Sequence, residues 1–130
     1  MGYRSDLYFK CHKNIAPELF SLLEQCELSE YIEDITIVDD DYIAFSMFCL
    51  KWYTGYSNVD AINAFVDSNS SQVAFIRNGE YSEDIETHGD AYNLGLDYYV
   101  QFYVEGVEGE PISYDKLRTN LAASKPEYFI

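Results

Sequence analysis

The densest set of chemically capable side chains lies between Glu80 and Asp90, where Glu80, Glu83, Asp84, Glu86, His88 and Asp90 sit close together. Carboxylates at that density attract a cationic partner, and Glu86, His88 and Asp90 also offer oxygens and an imidazole to a divalent cation. A second acidic run, Asp39-Asp40-Asp41, suggests a calcium loop but lacks the EF-hand spacing and its central Gly. A solvated turn is therefore the reading adopted. Nucleophilic catalysis needs a Ser or Cys beside a His and an acid, and only His12 and His88 are available. Cys11 and His12 are neighbours in a strand-like pattern and so point to opposite faces. A Gly-rich phosphate loop is missing too. No catalytic residue, metal ligand or cofactor is assigned on this reading.

The acids must be positioned by the stretch that carries them, Val73 to Asp90. It opens as an apolar run, Val73 to Ile76, and turns at Asn78-Gly79. Asn-Gly after such a run is a strong hairpin signal, because a type I′ turn needs positive φ at both central residues. On a returning strand, Tyr81, Glu83, Ile85 and Thr87 would face the core. Glu80, Ser82, Asp84 and Glu86 would form an outer row of carboxylates about 6.6 to 6.8 Å apart. An edge strand kept soluble by charge reads the same way.

Composition favours a partner. The chain has 130 residues, 23 acidic against 8 basic, and a net charge of -15. Such a chain repels phosphate, which argues against direct nucleic-acid or anionic-membrane binding and for a basic protein surface or a cation. Thirteen tyrosines suit both interfaces and strands. The odd cysteine count (Cys11, Cys26, Cys49) matches no zinc or redox spacing, and each falls on an apolar face, which predicts buried reduced thiols. There is no signal peptide and no membrane-spanning apolar run, so the expected location is the cytoplasm.

Periodicity supplies the frame. Ser5 to Cys11 alternates as a half-buried strand. Asn14 is placed to cap a helix with Pro17 in its first turn and Ile15, Leu19, Leu22, Leu23 and Cys26 inward. Thr36 to Val38 and Tyr42 to Leu50 read as strands joined at Asp39 to Asp41, the second one central. Ser57, with Asp60, is the expected capping pair of a second helix burying Val59, Ile62, Phe65 and Val66. Beyond the hairpin, Leu96 to Val104 reads as a strand. Ser113 caps a short helix to Ala123 bearing Tyr114, Leu117 and Leu121, and the tail Pro126 to Ile130 is loosely held. The expectation is one α+β domain over 1–130, with its core at about 3–105 and the short helix and tail at 111–130. Its antiparallel-rich sheet carries two main helices on one face, as a ferredoxin-like β-α-β-β-α-β core plus extra strands.

Three groups of residues add a resemblance. The opening Met1-Gly2-Tyr3-Arg4-Ser5-Asp6 is one. Lys51-Trp52-Tyr53 with Val59-Asp60 is another, and Phe75-Ile76-Arg77-Asn78-Gly79-Glu80 with Asp84-Ile85-Glu86 is the third. Together they resemble small acidic proteins encoded by bacteriophages and prophages, across residues 1 to 90. The resemblance implies an accessory protein of the bacterial cytoplasm that blocks a host defence, such as a CRISPR effector or restriction enzyme, by covering a nucleic-acid-binding surface. The expected contact residues are Glu80, Glu83, Asp84, Glu86 and Asp90, with Asp39, Asp40 and Asp41 as a second patch and Tyr81 and Tyr56 packing at the rim. The expected partner is a basic host protein, without direct nucleic acid or membrane, and homodimerisation stays open. Two alternatives remain: a small metal- or ligand-binding protein or enzyme centred near His88, and a virion structural or assembly protein.

Overall fold

The alternating residues of Ser5–His12 (β1) place this strand in the middle of a five-stranded antiparallel sheet. The computed structural model describes residues 2–81, 83–96 and 113–123, and of 120–123 the backbone only. Around β1 the order is β2-β3-β1-β4-β5, with β2 Ile32–Val38, β3 Tyr42–Leu50, β4 Val73–Asn78 and β5 Ile85–Gly89. The helices are α1 Ala16–Gln25, α2 Ser57–Ser68 and α3 Tyr114–Ala123. The expected strand Leu96 to Val104 lies, beyond its first residue, outside the described residues, as do Leu121's side chain and the tail.

Leu7, Phe9 and Cys11 of β1, Ile43, Phe45 and Met47 of β3, and Val73 and Phe75 of β4 form one apolar face. Both main helices pack on it, α1 through Leu19, Phe20 and Leu23 and α2 through Val59, Ile62 and Val66. Aromatic rings tie four strands together there. Phe9 stacks on Phe45 at 4.8 Å and on Phe75 at 4.7 Å, and Phe75 stacks on His88 at 4.9 Å. Each of these contacts joins residues directly opposite in the ladder, where side chains approach most closely. Trp52 closes edge-on against Phe75 at 5.9 Å. On the opposite face Ala74 and Ile76 pack with Leu94 and Leu96. Ser113 Oγ accepts the Lys116 N–H to cap α3, and Leu117 reaches the core.

Several local expectations are corrected. Asn14 and Ser57 cap neither helix: the N-cap residues are Ile15 and Tyr56, without side-chain caps, and Asp60 instead accepts the Gly55 N–H. β2 begins at Ile32 rather than Thr36, because a bulge with Asp34 at φ 55° lets pairing continue past an extra residue. Cys11 and Cys26 are buried, but Cys49 is exposed. The β1–β3 register slips by one residue between Ser5 and Leu7, and Cys49 at φ 60° turns outward so that Leu50 can point in. The period-2 reading had put Cys49 beside Met47. A bulge reverses that parity.

Phe75→Ala removes the ring that links β1, β5 and Trp52, and should destabilise the fold by about 3–5 kcal/mol. Urea denaturation checks this; a loss below about 1 kcal/mol would mean that the ladder does not hold the sheet.

Candidate functional site

The acidic stretch is built differently from a two-residue hairpin. β4 ends at Asn78 and β5 starts at Ile85, with Asn78 opposite Ile85. Residues 79–81, 83 and 84 therefore lie in a loop between the strands, and the Gly79 N–H bonds the Asp84 carbonyl across it at 2.8 Å. Neither Asn78 nor Gly79 has positive φ. Gly79 serves a different purpose: a Cβ there would displace the Asp84 carboxylate and the Tyr3 hydroxyl from their bonded positions. Positive φ at two successive turn residues occurs instead at Asp39 and Asp40, with Asp41 N–H closing on Val38. Asp tolerates this conformation better than most residues, so this acidic run has a conformational use.

Arg77 organises the loop. Its guanidinium donates to Asp84 Oδ1 at 2.7 Å and Oδ2 at 3.2 Å, to Glu86 Oε1 at 2.8 Å and to Ser5 Oγ at 3.0 Å. Tyr3 donates its hydroxyl to Asp84 at 2.6 Å and accepts the Tyr81 N–H, with the two rings 5.5 Å apart. On the far side Glu86 Oε2 lies 2.9 Å from His88 Nε2, and Asp67 of α2 lies 3.1 Å from His88 Nδ1. A continuous chain, Tyr3–Asp84–Arg77–Glu86–His88–Asp67, thus ties the N-terminus, β4, β5 and α2. The hydrogen bonds from Arg77, then that from Tyr3, hold the Asp84 carboxyl below the usual carboxylate range. Burial pushes Glu86 up, but the hydrogen bonds with Arg77 and His88 outweigh it and leave Glu86 low.

The expected contact residues divide between the two ends of the sheet, and Asp90 falls at the end of the second patch. Glu80, Tyr81, Glu83 and Asp84 lie beyond the Asn78 end of β4, while Asp90 and Asp39 to Asp41 lie beyond its Val73 end. Five residue steps separate the two ends, about 17 Å. Tyr56, at the start of α2 and close to the end of β3, belongs to the first end. The expected inward row is also reversed. Tyr81 is 68% exposed and Ile85 39%, whereas Glu86 and His88 share the face of Phe75 and Arg77. Asp41 pairs with Lys13 at 3.2 Å, and the Asp90 carboxylate accepts from Asn93.

Asp90 does not join Glu86 and His88; Asp67 does, and it occupies the second imidazole nitrogen. Among the described residues no group of three His, Cys, Asp or Glu side chains converges to hold a metal ion. Both His88 nitrogens face carboxylates, which hold the ring in place. Sequence reasoning missed Arg77, Tyr3 and Asp67. The signal for Arg77 was present, a lone cation among five acids, but its partners depend on the register. Compared with protein-family models, with curated proteins and with solved structures, the chain matches none of them. No helix among the described residues is long and apolar enough to cross a membrane.

Arg77→Met should cost about 2 kcal/mol in urea denaturation. It strands two carboxylates, but a third or more of each side chain stays exposed and screened. The pairs should also shape the acid limb. Carboxyls held low in the native state bind fewer protons than in the unfolded chain. Their stabilisation is therefore complete above the ordinary carboxylate range and lost as pH falls through the lowered values. The stability of the Asp84→Asn, Glu86→Gln double variant should fall less steeply below pH about 4. An acid limb identical to the parent's would place the effect elsewhere.

Proposed function

We propose that the protein is a non-enzymatic inhibitor of the kind bacteriophages carry against host defences, acting in the bacterial cytoplasm. On this reading it occupies the basic, nucleic-acid-binding surface of a host effector or nuclease. The observation that carries the reading is an acidic tip on a braced loop in a chain of net charge -15. Exposed Glu80 and Glu83 flank Tyr81, itself 68% exposed. The loop is held by the Tyr3–Asp84–Arg77 bonds, so little ordering entropy is lost when a partner docks. A ring between carboxylates supplies apolar contact beside electrostatic attraction.

The contact set narrows accordingly. Arg77 offsets part of the charge of Asp84 and Glu86, which lowers their share of the long-range attraction. Glu80, Glu83 and Tyr81 form the main contact, and Asp39 and Asp40 form a separate acidic patch at the other end of the sheet. The fold proposed for the β1-α1-β2-β3-α2-β4 segment is ferredoxin-like, which the strand order β4-β1-β3-β2 supports.

The test measures DNA binding by purified RNA-guided nuclease complexes and restriction enzymes in the presence of this protein. At least one should lose DNA binding at low salt and recover it at high salt. Glu80→Gln with Glu83→Gln should weaken that inhibition at least tenfold, while Glu86→Gln changes it less than threefold. Inhibition equal in the parent and both variants would remove the loop from the interface; no inhibition across the panel would overturn the reading.

A further inference from the structure

The cations of this acidic chain are distributed informatively. Among the described residues Lys13, Arg77 and Arg118 each pair with a carboxylate. Among those residues Arg4, Lys10, Lys51 and Lys116 make no ion pair, although acids outnumber bases almost three to one; of these four, Arg4 and Lys51 come together. Both line one cleft of about 230 Å³ between the end of β3, the start of α2 and the turn at Leu28 to Tyr31. The Arg4 backbone N–H is held by Glu80, and among the described residues its guanidinium reaches the Cys49 carbonyl alone, at 3.3 Å.

Three further features of the same cleft favour an anion. Asn58 and Val59, in the first turn of α2, line it. This twelve-residue helix has no side-chain cap, so its first-turn amides stay available and its dipole places partial positive charge there. The one acid of that turn, Asp60, is engaged by the Gly55 N–H. Trp52 forms part of the wall, only 7% exposed, and its buried indole N–H has no acceptor. A buried donor without a partner is costly, and an oxyanion is the acceptor this wall lacks. Tyr31 and Tyr56, 42% and 51% exposed, offer ring faces to a planar group attached to that anion.

We propose that this cleft binds a small phosphate-class oxyanion carried on a planar group, held by Arg4, Lys51, the first turn of α2 and the Trp52 indole. The bulge that turns Cys49 out of the core is part of the device, since it turns the Cys49 carbonyl to Arg4. The site is independent of the acidic loop's partner and would stand if that partner were never found.

Trp52 is the single tryptophan, so its indole N–H gives one isolated NMR signal. Titration with phenyl phosphate should shift that signal and the Asn58 and Val59 amides along one saturable curve, with inorganic phosphate binding more weakly. Chloride at matched ionic strength should not reproduce the curve. Arg4→Gln and Lys51→Gln should each weaken binding at least tenfold with an otherwise unchanged amide spectrum, while Lys116→Gln on exposed α3 leaves it unaltered. A non-saturable drift matched by chloride would overturn the proposal, as would the parent's affinity in both cleft variants. Equal affinity for the two phosphates would remove Tyr31 and Tyr56 from the site.

Discussion

Phe75 stacks on Phe9 on one side and on His88 on the other, and this registered contact governs how the sheet's edge is assembled. Rings opposite one another in a ladder can stack only if their strands are in one particular register. Once His88 lies opposite Phe75, Glu86 falls opposite Arg77 and Ile85 opposite Asn78. What remains of the acidic stretch is then a loop. The position of each carboxylate in that stretch follows from an apolar contact.

The same register explains how an acidic segment can edge a folded sheet. Like charges close together are destabilising, and Arg77 offsets them by taking Asp84 and Glu86 at once. Its guanidinium suits the task because its fixed fork of donors serves several acceptors together. Charges satisfied inside this network are part of the architecture. Glu80, Glu83, Asp39 and Asp40 are exposed and shape the field around the molecule.

Opposite electrostatic characters therefore lie near each other at one end of the molecule. The loop after Asn78 carries acids, and the cleft beside β3 carries Arg4 and Lys51. Arg4 connects them, with its amide bonded to Glu80 and its side chain at the cleft. A bulge at the end of β3 separates the two regions by turning one residue out of the strand's alternation. Cys49 takes a backbone conformation that most residues avoid, and the Asp6 carboxylate accepts its N–H to hold it there.

Periodicity alone determined the kinds of element and their order: the alternating β1, the amphipathic α1 and α2, the long β3, and α3 with its Ser113 cap. These patterns are local, since each face of a helix or strand must meet either core or water. The acidic surplus was equally plain, and with it the expectation of a cationic partner. Tertiary structure decided the rest. The Asn78-Gly79 turn yielded to a longer loop because His88 stacks on Phe75, a contact that neither segment specifies by itself. The outward turn of Cys49 and the early start of β2 come from bulges, which shift parity without a signature that separates them from ordinary strand residues. The Tyr3–Asp84 bond joins residues 81 apart in the chain, and the Arg4–Lys51 cleft joins the N-terminal segment to the end of β3. Contacts at such separations exist only once the sheet has brought distant segments together, so local pattern could name the charges but not their neighbours.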